Sequence, residues 1–164
     1  MGGKSFTAAE KQLRPDPRFG DRVLARFINC IMYDGKKAAA QRCVYDAMEI
    51  IQEKLGKETA PEAPKEAIVV FQKAIENVKP FVEVRSKRIG GANYQVPMQV
   101  NRKRQQSLAF RWLIEASRGE KGRPYAARLA DELYSAAKGE GKAMMTRDQT
   151  HRMAEANRAF AHFA

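Results

Sequence analysis

Cysteine and histidine are scarce in this chain, with two of each among its 164 residues. Cys30 and Cys43 both lie in apolar helical patterns, so we expect buried free thiols and a cytosolic compartment rather than a disulfide-bonded fold. His151 and His162 belong to no Cys, His or carboxylate set at ligand spacing, and a metal site is therefore not expected.

Long hydrophobic runs are also missing, because no apolar stretch reaches the roughly 18 residues that a membrane helix needs. Residues 1–10 contain no apolar region typical of a secretory signal. The enzyme motifs GxGxxG and GxSxG are absent, and Gly141-Lys142 lacks the Ser or Thr that follows in a phosphate-binding loop. We expect no membrane contact, no cofactor and no enzymatic activity, although a dispersed catalytic triad would leave no such motif.

Acidic residues are outnumbered, with 19 Asp and Glu against 30 Lys and Arg and a net charge of +11. The excess is concentrated in residues 79–123, which hold eleven basic and three acidic residues, whereas residues 21–78 are balanced. A surface that serves solubility alone mixes both signs. The concentrated excess favours a polyanionic partner such as a nucleic acid.

Hydrophobic residues spaced three and four apart predict six helices. Asp21 is a plausible N-cap for the first, which we expect to run to the Asp34-Gly35 turn. The others are predicted at 36–55 with Gly56 as a stop, 65–78, 102–118, from Pro124 to Gly139, and 146–162. Trp112 and Ala116 of the fourth helix are expected to face the core, and Met153, Asn157 and Phe160 are expected on one side of the sixth.

Two alternating runs, 82–85 and 94–100, flank Gly90-Gly91 and predict a β-hairpin in which Pro97 occupies an edge position. The predicted fold is mainly α, a six-helix domain with an extended two-stranded β-ribbon (81–100) inserted between helices three and four. We expect a single domain over 1–164, in which 1–20 form an extended N-terminal arm because Pro15 and Pro17 prevent a helix there.

Basic residues of the ribbon and of the fourth helix are the main candidates for binding RNA: Arg85, Lys87, Arg88, Arg102, Lys103, Arg104, Arg111 and Arg118. The last three arginines are seven residues apart and therefore share one helix face. Guanidinium groups present a planar donor fork that suits phosphate, and Gly90 and Gly91 permit close backbone approach. Ion pairing of Glu115 with Arg111 and Arg118 is the structural alternative.

Lys36 and Lys37 follow the Asp34-Gly35 turn at a helix N-terminus, where free N–H groups favour an anion. A plain exposed first turn is the alternative. Tyr94 has two equally open roles, stacking on a base or packing across the hairpin.

The order of these motifs resembles the family of bacterial small-subunit ribosomal protein seven. The matching segments are LRPDPRFG (13–20), FIN (27–29), DGKK (34–37), KP (79–80), VEVRSKRIGG (82–91), YQVP (94–97), RW (111–112), RLA (128–130) and HRMAEANRAFAH (151–162). The resemblance implies a cytoplasmic ribosomal protein, a primary binder of small-subunit rRNA that nucleates assembly of the head. It also implies a place at the subunit interface near exit-site tRNA and the mRNA path, with small-subunit proteins nine and eleven as neighbours.

Carried onto this chain, the resemblance assigns rRNA contacts to Lys36 and Lys37, to the ribbon and to the start of the fourth helix. The N-terminal basic cluster of the family is reduced here to Lys4, Lys11 and Arg14. Met144-Met145-Thr146 replaces several basic residues, residues 56–64 look longer than usual, and the common Arg-Trp tail is missing. We expect a weaker grip by the arm and a solvent-exposed loop at 56–64.

Two other functions are compatible with this basic composition. A DNA-binding architectural protein would insert the ribbon into a groove, and it would hold duplex DNA as tightly as an rRNA junction. A nucleic-acid-processing enzyme would need carboxylates beside the basic segment, where residues 79–123 offer only Glu83, Glu115 and Glu120.

Overall fold

The computed structural model describes residues 13–57 and 66–163, and in these ranges it contains six α-helices, one two-stranded sheet and a C-terminal 3-10 helix. The elements are α1 (Arg22–Ile31), α2 (Lys37–Lys57), α3 (Ala67–Val78), β1 (Val82–Ile89), β2 (Ala92–Gln99), α4 (Arg102–Gly119), α5 (Tyr125–Lys138), α6 (Lys142–Ala156) and the 3-10 helix (Arg158–Phe163). The predicted mainly α fold with a ribbon between the third and fourth helices is confirmed.

The core is built around an aromatic contact between three helices. The ring centroid of Phe27 in α1 lies 5.3 Å from that of Phe71 in α3 and 5.2 Å from that of Phe110 in α4. All three are buried, and burial of such a side chain contributes roughly 1.5–3 kcal/mol. Helix α5 completes the core with the buried Leu129 and Leu133, and it contacts α2, α3, α4 and α6.

The ribbon is an antiparallel hairpin whose register runs from the Val82–Gln99 pair to the Ile89–Ala92 pair. Gly90 and Gly91 both have positive φ (57° and 89°), which the tight turn requires and glycine adopts at little cost. The ribbon is buried at Val96 in its middle, and it packs against α6 and the 3-10 helix. Towards the turn, residues 85–88 and 90–93 are exposed.

The first helix begins as predicted, because the Asp21 carboxylate accepts a hydrogen bond from the Leu24 N–H at 2.8 Å. It ends at Ile31, before the Asp34-Gly35 turn and earlier than predicted, since the ψ of Met32 (136°) is no longer helical. The expectation of two buried thiols was wrong: Cys30 is exposed and Cys43 is half-buried. Cys30 lies on the solvent side of α1, beside the apolar stripe.

Helix α2 continues through Gly56, which was predicted to stop it, because an ordinary helical φ is available to glycine as well. In α4 the buried side chains include Phe110 and Ile114, and Trp112 and Ala116, predicted to face the core, are half-buried and pack against it.

The sixth helix begins at Lys142, four residues earlier than predicted, and ends at Ala156. Its early start follows from Glu132 of α5, whose Oε1 accepts a hydrogen bond from the Ala143 N–H at 2.8 Å. The chain after Ala156 forms a separate 3-10 helix that contains Phe160, so the prediction of one helix over 146–162 with Met153, Asn157 and Phe160 on one side was wrong. Most of the predicted N-terminal arm and the 56–64 loop lie outside the described residues.

Candidate nucleic-acid interface

The first strand of the ribbon carries three exposed cations, Arg85 in its middle and Lys87 and Arg88 near the turn. Because side chains alternate along a strand, Arg85 and Lys87 share one face and Arg88 lies on the other. The Lys87 Nζ donates to the Phe163 carbonyl oxygen at 2.5 Å, which connects the ribbon to the 3-10 helix. The ribbon thus presents positive charge on both faces near its glycine turn.

Glu83 is the acidic residue at the root of the ribbon, and its side chain is only 10% exposed. Its Oε1 accepts from the Arg85 Nε at 2.7 Å, and its Oε2 accepts from the Arg104 Nε at 3.1 Å. A buried carboxylate held by two guanidinium groups fixes the ribbon to the first turn of α4. Both arginines remain partly exposed, at 54% and 37% of their side chains.

The first turn of α4 presents Arg102 and Lys103 to solvent. The turn is held by Asn101, whose side-chain oxygen accepts from the Arg104 N–H at 2.9 Å. Farther along α4, Arg111 is exposed, and no ion pair joins it to Glu115 within the described residues. The structural alternative for this stripe, pairing with Glu115, is therefore not observed there.

Arg104, Arg111 and Arg118 follow one another at seven-residue spacing along α4, but their environments differ. Arg104 pairs with Glu83 and Arg111 faces solvent, whereas Arg118 is engaged with the turn between α1 and α2. Arg123, at the end of the basic segment, pairs with Asp131 at 2.6 Å and Glu120 at 3.3 Å. The net charge of this segment is therefore only partly available to a ligand.

The turn between α1 and α2 positions a second cationic group. Asp34 and Gly35 both have positive φ (51° and 69°), and the Lys36 N–H donates to the Tyr33 carbonyl oxygen at 2.9 Å. This arrangement places Tyr33 and Lys36 at the two ends of one tight turn. Tyr33 is 65% exposed, and the predicted candidate Lys36 is exposed as well.

Arg118 packs against this turn from α4. Its guanidinium carbon lies 4.2 Å from the centroid of the Tyr33 ring. The guanidinium nitrogens donate hydrogen bonds to the Tyr33 hydroxyl at 2.7 Å and to the Ile31 carbonyl oxygen at 2.9 Å. A cavity of about 280 Å³ opens beside it, lined by Ile31, Tyr33, Lys36, Ala39, Ala40, Cys43, Arg118 and Tyr125. Two candidates that are far apart in sequence, Lys36 and Arg118, thus meet at one cavity.

A third group of candidates meets at the start of the described chain. Arg14 and Lys37, both exposed, line a cavity of about 280 Å³ together with Pro15, Asp16, Pro17, Ala25, Ile28 and Gln41. The remaining candidates of the N-terminal arm, Lys4 and Lys11, lie outside the described residues.

Tyr94 packs against the 3-10 helix, with its ring centroid 5.2 Å from that of Phe160 and 5.5 Å from that of Phe163. Neither of its two predicted roles included these partners. Tyr33 was missed as a candidate altogether. Its signal in the sequence is an aromatic residue directly before an Asp-Gly turn, outside the apolar spacing of α1.

Within the described ranges no group of three or more His, Cys, Asp or Glu side chains is placed to hold a metal ion. No described helix is both long and apolar enough to cross a membrane. The model of the family described as ribosomal protein S7p/S5e matches residues 4–158.

The chain belongs to the ribosomal protein S7p/S5e family.

Members of the S7p/S5e family from several bacteria are similar to this chain over nearly their whole length. The protein from Rhodopirellula baltica is 56% identical over 159 residues, covering 97% of this chain and 98% of the relative. That from Thermotoga maritima is 50% identical over 156 residues, covering 95% and 96%. Each of these relatives is named small ribosomal subunit protein uS7.

Membership of the S7p/S5e family confirms the resemblance inferred from the sequence motifs. It also confirms the expectation of a structural, non-enzymatic protein, since the family is a component of the ribosome. The individual roles assigned to the basic side chains stay predictions.

Proposed function

We propose that this chain, a structural constituent of the small ribosomal subunit, binds folded rRNA through a basic face on the ribbon and α4. The basic face comprises Arg85, Lys87, Arg88, Arg102, Lys103, Arg104 and Arg111. The observation that carries the proposal is its charge: Glu83, the one acid of residues 82–104, is buried and already paired with two of its arginines. A phosphate backbone approaching this face meets cations and no exposed carboxylate from that segment.

The shape of the basic face supports RNA as its ligand. The ribbon tip enters a groove or junction that a compact surface cannot reach, and the glycine turn allows the backbone to approach phosphate closely. RNA proteins use the shape and the phosphates of folded RNA more than base edges in helices. The proposed ligand is accordingly a folded junction of rRNA rather than a regular duplex.

The finer assignments form part of the same proposal. The chain nucleates assembly of the head as a primary rRNA binder, and its ribbon lies near exit-site tRNA and the mRNA path. Proteins nine and eleven of the small subunit are its proposed neighbours. Lys36, Lys37, Arg14 and Arg118 are proposed to add rRNA contacts, and Lys4 and Lys11 to add contacts from the arm. The family, its small-subunit relatives and the positions of the described cations support these assignments.

The test replaces Arg102 and Arg111, two exposed arginines of α4 that form no ion pair with a carboxylate of the described residues. The double variant Arg102→Ala/Arg111→Ala should bind a transcript of the small-subunit rRNA head domain more weakly than the unmodified chain. Its plot of log affinity against log salt should also flatten by about one unit for each lost phosphate contact, because fewer counterions are released. Filter binding across a series of salt concentrations measures both quantities.

The matched control is Arg22→Ala/Lys73→Ala, which removes two exposed cations from α1 and α3, outside the basic face. The control should keep the salt slope of the unmodified chain. An unchanged slope in the double variant would remove the basic face from the interface. Equal affinity of the unmodified chain for duplex DNA and for the rRNA transcript would favour an architectural DNA-binding protein instead.

A further inference from the structure

The cavity between the Tyr33–Lys36 turn and the end of α4 has the composition of a nucleotide site. We propose that it binds one unstacked nucleotide of the rRNA, with the base against Tyr33 and the apolar wall and the phosphate near Lys36 and Arg118. This inference rests on the proposed rRNA-binding function and extends it to a surface outside the basic face.

The apolar wall and the size of the cavity suit a single base. Ile31, Ala39, Ala40 and Tyr125 line it, and its volume of about 280 Å³ lies near the lower limit of small-ligand pockets, roughly 300 Å³. A helical strand does not fit into such a volume. A base turned out of a loop or a junction does, and such unstacked bases are the usual targets of specific RNA recognition.

The stacking surface is already assembled. The guanidinium of Arg118 covers one face of the Tyr33 ring at 4.2 Å, while Tyr33 as a whole stays 65% exposed. Aromatic rings and guanidinium planes are the groups on which RNA-binding proteins stack bases. The hydrogen bond from Arg118 to the Tyr33 hydroxyl holds the two planes together, so little side-chain freedom remains to be lost on binding.

The charge at the rim favours an anionic group on the same ligand. Arg118 donates to two neutral oxygens, those of Tyr33 and Ile31, and no carboxylate of the described residues pairs with it. Lys36 lies 3.8 Å from the Asp34 carboxylate, with both side chains more than 70% exposed, so this pair is weak in solvent. A base joined to a phosphate satisfies the apolar wall and both cations at once.

The experiment fills the cavity without removing a cation. Ala39 lines the cavity and its neighbour Ala38 does not, although both are exposed in the first turn of α2. Ala39→Phe should weaken binding to the rRNA head-domain transcript about tenfold, the loss expected for one stacked base. The salt slope should flatten by about one unit, because the displaced nucleotide takes its phosphate away from Lys36 and Arg118, whereas Ala38→Phe should keep the affinity and the slope of the unmodified chain.

Base-specific chemical probing of the bound transcript gives the second readout. A nucleotide protected by the unmodified chain should regain its reactivity in the complex with Ala39→Phe. Tyr33→Leu, which removes the stacking plane from an exposed position, should weaken binding to a similar extent and covers the case in which Ala39→Phe does not fold.

The outcomes separate this inference from the proposed function. Weak, salt-independent binding of the unmodified chain to the transcript would overturn the proposed function. Strong, salt-dependent binding that Ala39→Phe and Tyr33→Leu leave unchanged would overturn the nucleotide site alone. That second result would also be obtained if the cavity held an acidic side chain of a neighbouring protein.

Discussion

Asp16 shows how one buried carboxylate organises the chain before the first helix. It is 2% exposed and accepts hydrogen bonds from the backbone N–H groups of Arg18 and Phe19 and from the Tyr45 hydroxyl, the last at 2.8 Å. Burial, and then the hydrogen bond to Asp16, raise the pKa of Tyr45 to about 12. The contact therefore fastens the start of the described chain, with Arg14, to α2.

Asp16→Ala should lower the free energy of unfolding by about 1–3 kcal/mol, because the substitution leaves buried donors without an acceptor. Urea denaturation of the purified chain at neutral pH measures the loss, and spectrophotometric titration should show the pKa of Tyr45 falling below about 12, because the contribution of Asp16 is lost while that of burial stays. Asp46→Ala, at an exposed position of the neighbouring helix, is the control. Equal stability of both variants would contradict the anchoring role of Asp16.

At the scale of elements, the start of α6 depends on two residues outside it. Glu132 of α5 caps the helix through its hydrogen bond from the Ala143 N–H, and burial raises the pKa of this carboxyl. Gly141 precedes the helix with φ of +100°, where a Cβ would lie 2.9 Å from the Glu132 Oε1. The apolar spacing of residues 146–162 contains neither contact, which is why the sequence predicted a later start.

Gly141→Ala should therefore destabilise the protein by about 1–3 kcal/mol, because it combines an unfavourable φ with a clash against the capping carboxylate. Gly56→Ala provides the opposite case. Gly56 lies inside α2 with an ordinary φ and no atom within 4 Å of an added Cβ. Gly56→Ala should therefore raise the free energy of unfolding by up to about 1 kcal/mol. Thermal denaturation of both variants tests the contrast, and the same sign of change in both would contradict it.

The ribbon is an element whose outer half contributes little to the core. Replacing residues 87–94 with an Asn-Gly turn keeps Ser86 opposite Gln95 and removes the exposed tip. The helical circular dichroism should stay unchanged, while the melting temperature falls by a few degrees as Tyr94 leaves Phe160 and Phe163. Loss of the helical signal would show that the tip belongs to the folding unit.

At the scale of the whole molecule, periodicity predicted the order of six helices and the ribbon because long-range packing agrees with local spacing in them. The predictions failed where a side chain distant in sequence determines the local structure. Glu132 caps the start of α6, and Tyr94 of the ribbon packs on Phe160 and Phe163 of the 3-10 helix. Counting charges along the sequence identified the candidate cations. It did not distinguish Arg111, which faces solvent, from Arg123, which forms ion pairs with two carboxylates. Whether the chain forms one domain over 1–164 stays a prediction.

The shared carboxylate of Glu83 has a consequence for how a polyanion is received. If Arg85 or Arg104 turned fully towards a phosphate, the Glu83 carboxylate, which has almost no access to water, would keep only one of its two partners, and that loss exceeds the gain of one exposed contact. The two guanidinium groups must therefore keep their orientation and offer only their outward N–H groups. The root of the ribbon is therefore a rigid template, and the transcript adapts its shape to the protein.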